Sequence, residues 1–286
     1  MTGEQMTSSR SVERIGPRSL TIAIPALNEE RNIENTVRAA LSAAATVPAL
    51  NVEVVVIDDG STDRTAQIVE RLTREFTNVR LLKNPQNIGL GASIRRAIQE
   101  ARSEKFIFIP GDNDIPVSTL ELLFRSAYVA EVVMCYFHND ECRGRIRYLI
   151  STLYTIAYTT AFDLYVQYIN GPAVYPTHKL RQLHLRSTRF SIVSEINVKL
   201  LRQGVTFVEV PSNRQVGLEG STSLTLRSLF ETLRVLTHNL LDVHVRARAL
   251  YGLRPVRLPF ELSLTTSAWP GRDGTPAAQT KTAVHG

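Results

Sequence analysis

Cysteine is nearly absent from this chain. Cys135 and Cys142 are the only two in 286 residues, too few for a disulfide framework, and a reducing cytosol is the expected compartment. Cys135 sits in an apolar run and is expected in the core. Long apolar stretches are missing too: no uncharged run reaches the length of a membrane-spanning helix. The first 18 residues are polar and lack a hydrophobic signal core, so secretion is not expected. Aromatic residues are 7% of the chain and do not interleave with a basic repeat, which argues against a nucleic-acid binder. No internal repeat is visible.

What remains is ordinary globular composition, 43% hydrophobic and 21% charged, long enough for one large α/β domain or two small ones. The formal charge of +6 is unevenly placed: residues 1–142 sum to −4 and residues 143–286 to +10. The basic half would favour an anionic partner such as a phosphate or a phospholipid surface.

Apolar runs at residues 20–25, 52–57, 79–82, 106–109 and 131–137 read as strands, with helical periodicity between the first four. Asn28 is expected to cap the first helix, and Asp63 the second. Helices are also expected over 89–101, from Val117, over 193–202 and over 225–241, and strands over 173–175 and 205–210. This alternation predicts a mostly parallel sheet with right-handed crossovers. Residues 148–169 form a long amphipathic segment with a stripe through Ile146, Leu149/Ile150, Leu153, Ala157, Ala161, Leu164 and Tyr168. Tyr154, Tyr158, Phe162 and Tyr165 add aromatic surface. Packing on the sheet and lying at a membrane interface are both open for it. The first 18 residues and the Gly/Pro/Thr/Ala-rich tail are expected to be disordered, with a basic extension beginning at residue 246.

Ligands on such sheets bind beyond the carboxyl ends of the strands. Three polar clusters fall there: Asn28-Glu29, Asp58-Asp59-Gly60-Ser61 and Asp112-Asn113-Asp114. Two acids flanking one residue at a strand mouth repel each other and lose hydration, and a divalent cation with a diphosphate would satisfy both. Mg²⁺ or Mn²⁺ suits such oxygen ligands. Asp114 is the stronger metal ligand; Asp112 meets the ribose or shares the metal. A carboxylate at Asp58 or Asp59 can accept from a nucleobase imide or a ribose hydroxyl. Gly89-Leu90-Gly91 permits close ligand approach to a helix start.

The stretches 24–29 (Ile-Pro-Ala-Leu-Asn-Glu), 56–63 (Val-Ile-Asp-Asp-Gly-Ser-Thr-Asp) and 87–91 (Asn-Ile-Gly-Leu-Gly), with the acidic triplet, resemble glycosyltransferase family 2 of the GT-A fold. A looser match, Glu195…Gly204…Val208-Glu209-Val210-Pro211…Arg214…Gly217, points to the polyprenyl-phosphate sugar transferases. The likeness covers residues 20–232. It implies a domain over 19–245, with a nucleotide half to 116 and an acceptor half from 117. It implies that Pro25, Asn28, Glu29, Asp58, Asp59, Gly89, Asp112 and Asn113 bind a UDP- or GDP-linked sugar. It implies that Asp112 and Asp114 hold the metal and that Arg143, Arg145 and Arg214 hold phosphates. Glu195 takes the family position of a general base, which a hydroxyl acceptor needs and a lipid phosphate does not.

The chain departs from the family pattern at four places: Asn113 in mid-triplet, the early Pro116, Asn170-Gly171-Pro172, and Gly220-Ser221-Thr222-Ser223 without the usual phosphate-binding lysine. The expected protein is an inverting, metal-dependent glycosyltransferase, cytoplasmic or peripheral at the inner membrane face, with a lipid-phosphate acceptor. A hydroxyl acceptor and a degenerate, non-catalytic scaffold are the alternatives. A nucleotidyl transferase would want a basic, glycine-rich loop near the first strand, where this chain is acidic. The donor base, the sugar and the oligomeric state are not legible.

Overall fold

The computed structural model describes residues 18–137, 145–212 and 226–260. The first part of the chain runs β1 (Ser19–Ala26), α1 (Ile33–Ala45), β2 (Asn51–Asp58), α2 (Thr65–Glu75), β3 (Val79–Lys83), α3 (Leu90–Glu100), β4 (Lys105–Phe108) and α4 (Val117–Arg125). The second half continues with β5 (Val132–Phe137), α5 (Arg145–Phe162), β6 (Ala173–Pro176), α6 (Thr177–Gln182), α7 (Ile192–Leu201), β7 (Thr206–Ser212) and α8 (Leu226–Leu241). A π-helical turn (Asp242–Arg246), α9 (Arg248–Tyr251) and β8 (Val256–Arg257) complete it.

The strands form one eight-stranded sheet in the order β3-β2-β1-β4-β6-β5-β7-β8. All pairings are parallel except those of β6, which runs antiparallel to β4 and β5. The expected mixed α/β, mostly parallel sheet flanked by helices is therefore the fold. Alternate residues of the central strands point to opposite faces, and both faces are covered. Leu20, Ile22, Ile24, Val54 and Val56 meet α1, α2 and α4 on one side. Ala23, Val55 and Ile57 share the other core with α3, α5 and α7. Cys135 is buried, as expected.

Two sequence expectations are corrected. In α5 the inward face is Tyr154, Tyr158 and Phe162, with Tyr158 1% exposed and Phe162 0%. The stripe through Leu149, Leu153 and Ala157 faces outward. Both faces of this helix are apolar, so periodicity alone could not choose; the rings bury more area, and Tyr154 and Tyr158 stack 4.5 Å apart. The extension from residue 246 is partly built into the sheet. The Val256 amide donates to the Val205 carbonyl (3.1 Å) and Leu258 to Phe207 (2.8 Å), while Arg257 pairs with Glu209 (2.9 Å). A two-residue strand carries no readable alternation. The expectations for the first 17 residues and for the tail from 261 lie outside the described residues, as does Cys142.

Candidate active site

Strand β1 has β2 on one side and β4 on the other, so the chain's winding reverses there. The carboxyl ends of those three strands bring the three polar clusters to one edge. The register pairs Ala26 with Asp58.

Asn28 is not the helix cap expected of it. It takes a left-handed conformation (φ 57°), and α1 starts only at Ile33. The Asn28 amide donates to Ser61 Oγ (2.9 Å), and its Oδ1 accepts from the Thr62 amide (2.8 Å). Its side chain is thus used across the gap, to lock the β1 loop onto the β2 turn. Asp63 is not the cap of α2 either: that position is Arg64, and Asp63, one residue earlier, accepts from the Thr65 amide at 2.9 Å. Its other oxygen takes the Glu30 amide at 3.0 Å. Gly60 stands at φ 77°, and a Cβ there would lie 2.6 Å from the backbone of Gln86, so glycine alone permits this turn.

The acidic triplet closes a tight turn after β4. The Asp114 amide donates to Asp112 Oδ1 (3.2 Å), and Asn113 between them is left-handed at φ 60°. Asparagine tolerates that conformation better than most residues, which accounts physically for the middle residue of this triplet. Thr36 of α1 ties the turn down by donating to the Gly111 carbonyl (2.9 Å). Glu29 lies against the same turn. Burial pushes its carboxyl pKa up; the negative charge of Asp112, then that of Asp63, add to this, and a bond from Asn32 works against it. Excess negative potential in an all-oxygen donor set fits a hard divalent cation. Among the described residues no three His, Cys, Asp or Glu side chains converge as a metal cage. Mg²⁺ characteristically needs only one or two carboxylates when substrate phosphates complete its shell, so Asp112 and Asp114 fit that pattern.

Asp58 and Asp59 are each 4% exposed. Asp58 accepts from the Ser61 amide (3.2 Å). Asp59 binds the loop before α3: Oδ1 accepts from Asn84 Nδ2 (2.8 Å) and the Ile88 amide (3.0 Å), and Oδ2 from the Gly89 amide (2.9 Å). A cleft of about 410 Å³ opens beside it, bounded by Pro25–Leu27, Asp59, residues 87–90 and residues 188–190. Leu27, Ile88 and Phe190 give it apolar walls and are 40%, 40% and 56% exposed.

The segment 188–190 was missed by sequence reasoning. It packs directly on the start of α3: the Gly91 amide donates to the Thr188 carbonyl (2.9 Å), and Arg95 Nη1 to the Ser187 carbonyl. The Gly89-Leu90-Gly91 spacing did signal a close approach, but what approaches is this chain's own backbone. The amides of Gly89 and Gly91 are spent inside the protein.

Glu195 lies on α7 with 1% exposure. It accepts from the Arg186 amide (3.0 Å), the Ser187 amide (2.8 Å) and Lys199 Nζ (2.8 Å). Lys199 is also 1% exposed at its side chain and reaches Asp242 at 3.3 Å. Arg143 and Arg214 lie outside the described residues, as does the side chain of Arg145.

Against known proteins, the model of "Glycosyl transferase family 2" matches residues 21–187. The chain belongs to that family. Glycosyltransferase AglD of Haloferax volcanii is 33% identical over 105 residues, 36% of this chain and 17% of that protein. A human dolichyl-phosphate beta-glucosyltransferase is 30% identical over 112 residues, 37% of this chain and 35% of the relative. The chain therefore spans about a third or less of these curated relatives. Glucosyl-3-phosphoglycerate synthase of Mycobacterium tuberculosis, solved with UDP, aligns with TM-score 0.57 at 19% identity, over 79% of each chain. That likeness carries the GT-A fold.

Proposed function

We propose that the protein is an inverting, metal-dependent glycosyltransferase that moves a sugar from a nucleotide sugar to a membrane-associated acceptor, a polyprenyl phosphate above all. The observation that carries this reading is the convergence of Asn28-Glu29, Asp58-Asp59 and the acidic triplet at the point where the sheet's winding reverses. The cleft beside them joins apolar walls to a few fixed polar groups, as nucleotide sites do. The names of dolichyl-phosphate relatives and the UDP of a structural neighbour support the same donor and acceptor classes.

Asp112 and Asp114 would hold Mg²⁺ or Mn²⁺, which when bound neutralises charge on the leaving nucleoside diphosphate. The chain's own residues do the positioning. Asp59 fixes the loop 88–89, Asn28 fixes the β2 turn, and Asp58 offers a carboxylate to base or ribose. An inverting displacement by a lipid-phosphate oxygen at the anomeric carbon, with the nucleoside diphosphate leaving, needs no strong base, because the attacking oxygen is already ionised. The burial of Glu195 behind three donors favours this over a hydroxyl acceptor.

Among the described residues no helix is long and apolar enough to cross a membrane. The outward face of α5 nonetheless carries Leu149, Leu153 and Ile156, each more than half exposed. Three arginines, Arg143, Arg145 and Arg147, begin that segment in the sequence. An apolar face beside a basic run suits the surface of an anionic membrane.

A thermal-shift screen of UDP- and GDP-sugars with Mn²⁺ and Mg²⁺ tests the donor class. One nucleotide series raises the melting temperature, and Asp114→Ala removes the metal-dependent part of that shift. No response to any nucleotide sugar refutes the proposal.

A further inference from the structure

Among the described residues lining the donor cleft, Arg189 is the sole lysine or arginine and Asp59 the sole acid. Asp59 makes no ion pair with it; its oxygens bind Asn84, Ile88 and Gly89. No carboxylate of the described residues makes an ion pair with the Arg189 guanidinium. The start of α3, where the glycines permit close ligand approach, has given its Gly91 amide to Thr188. Among its described lining residues the cleft thus offers an anion one cationic side chain.

That cation sits on a segment held from both sides. Towards the nucleotide half, the Thr188 and Ser187 carbonyls accept from Gly91 and Arg95. Towards the acceptor half, Glu195 takes the Arg186 and Ser187 amides. Glu231 of α8, 8% exposed, accepts from Ser187 Oγ (2.9 Å) and from Ser191 Oγ. Ser187 and Ser191 are themselves 0% and 4% exposed. Two buried carboxylates and two buried hydroxyls are spent on residues 186, 187 and 191, while Arg189 and Phe190 stay exposed at the cleft. Fixing a loop so firmly around one exposed arginine is an arrangement for positioning it.

We propose that Arg189 binds the diphosphate of the nucleotide donor, with Glu231 as the residue that positions its loop. Guanidinium suits this role because it is always charged and presents a planar fork of donors to phosphate oxygens. It would also supply a cation in a chain that lacks the lysine noted above. The inference rests on the donor-binding reading.

The test uses the full chain with Mn²⁺ and titrates UDP, GDP, UMP and GMP by calorimetry against wild type, Arg189→Gln, Arg189→Lys and Glu231→Gln. Arg189 is exposed, so its variants should keep the wild-type melting temperature. For the base that binds, Arg189→Gln should weaken the diphosphate by about tenfold or more and leave the monophosphate within about twofold. Arg189→Lys should fall between. Glu231→Gln should weaken the diphosphate in the same selective way, a pattern that general loosening of the fold would not give. A second arm measures the KM of a short-chain polyprenyl phosphate. If Arg189→Gln raises that KM with diphosphate affinity unchanged, the arginine serves the acceptor and the assignment is overturned. Equal loss of diphosphate and monophosphate, or no loss of either, overturns it as well. If wild type binds no nucleoside diphosphate, the donor reading fails first and this inference with it.

Discussion

Glu195→Gln separates structure from chemistry at the residue whose family position suggests a general base. In this fold its carboxylate accepts from two backbone amides and from Lys199 Nζ at 2.8 Å, with both side chains 1% exposed. The amide side chain keeps the shape but turns one acceptor into a donor that faces other donors. Removing one member of a buried ion pair costs roughly 3–5 kcal/mol, because the remaining charge is left uncompensated. Asp242 stays 3.3 Å from Lys199, and the His184 carbonyl accepts from it at 2.6 Å, so the low end applies here. The expected loss is about 3 kcal/mol, which at the urea dependence of roughly 3 kcal/mol per molar suited to a chain of this size lowers the unfolding midpoint by about 1 M. Urea titration followed by circular dichroism measures it. Turnover in the folded variant should be reduced through the displaced 186–191 loop but not abolished. An unshifted midpoint with abolished turnover would refute this reasoning and restore Glu195 as a proton acceptor within reach of substrate.

Gly91→Ala tests the contact between α3 and the loop. Its Cβ would lie 2.5 Å from the Ser187 carbonyl oxygen and 2.8 Å from the Thr188 carbonyl carbon, both backbone atoms. Overpacking of about 1–3 kcal/mol, offset by about 1 kcal/mol of helix propensity, predicts a small net destabilisation, with donor affinity falling as Arg189 is displaced. A variant with unchanged donor affinity would count against the loop as a positioning element. Lys105, at the opposite end of β4, gives a pH signature. Burial lowers its pKa to about 8, with partial compensation from Glu131 and Glu104, while its ammonium donates to the carbonyls of Ala130 and Glu131. A lysine depressed in the fold binds fewer protons than in the unfolded chain, so wild-type stability should rise relative to Lys105→Met from pH about 8 towards 10.5, by up to about 3 kcal/mol. Above pH 10 the tyrosines act in the opposite sense, Tyr128 being raised to about 12 by burial, which is why the difference between wild type and variant is the quantity to measure. A difference independent of pH would show that Lys105 does not titrate in this way.

The part of the chain from β1 to β4 was legible because its signals are local. Each strand there is a short apolar run, the turns after β1, β2 and β4 are acidic, and the parallel alternation dictates that those turns share an edge. The part beyond β4 was less so. The orientation of α5 depended on which of two apolar faces buried more area. Asn28 looked like a cap because its neighbours are acidic, but its partners Ser61 and Thr62 lie more than thirty residues away. Arg189 could not be read as a cleft residue at all. Its place depends on a contact between Gly91 and Thr188, nearly a hundred positions apart, and no periodicity reports that.

The cluster of Glu195, Lys199, Glu231 and Asp242 raises the question of why charge is buried where apolar side chains would pack. Buried ion pairs are weak evidence for stability, since well-packed apolar residues of similar volume often do as well or better. An apolar replacement for Glu195 could not, however, satisfy the amides of Arg186 and Ser187, which belong to an irregular segment without sheet or helix partners of their own. The cluster therefore stabilises one geometry of that segment more than it stabilises the fold. It is also continuous with α5, because Tyr154 hydrogen-bonds Ser194, the neighbour of Glu195, at 2.6 Å. The helix whose outer face carries Leu149, Leu153 and Ile156 is thus braced against the residues that hold the cleft's arginine. In the proposed reaction a soluble donor must meet an acceptor confined to a surface, and the reacting atoms must be held within about 3.5 Å. A shared rigid support for the surface-facing helix and the donor-facing loop meets that requirement without any moving part.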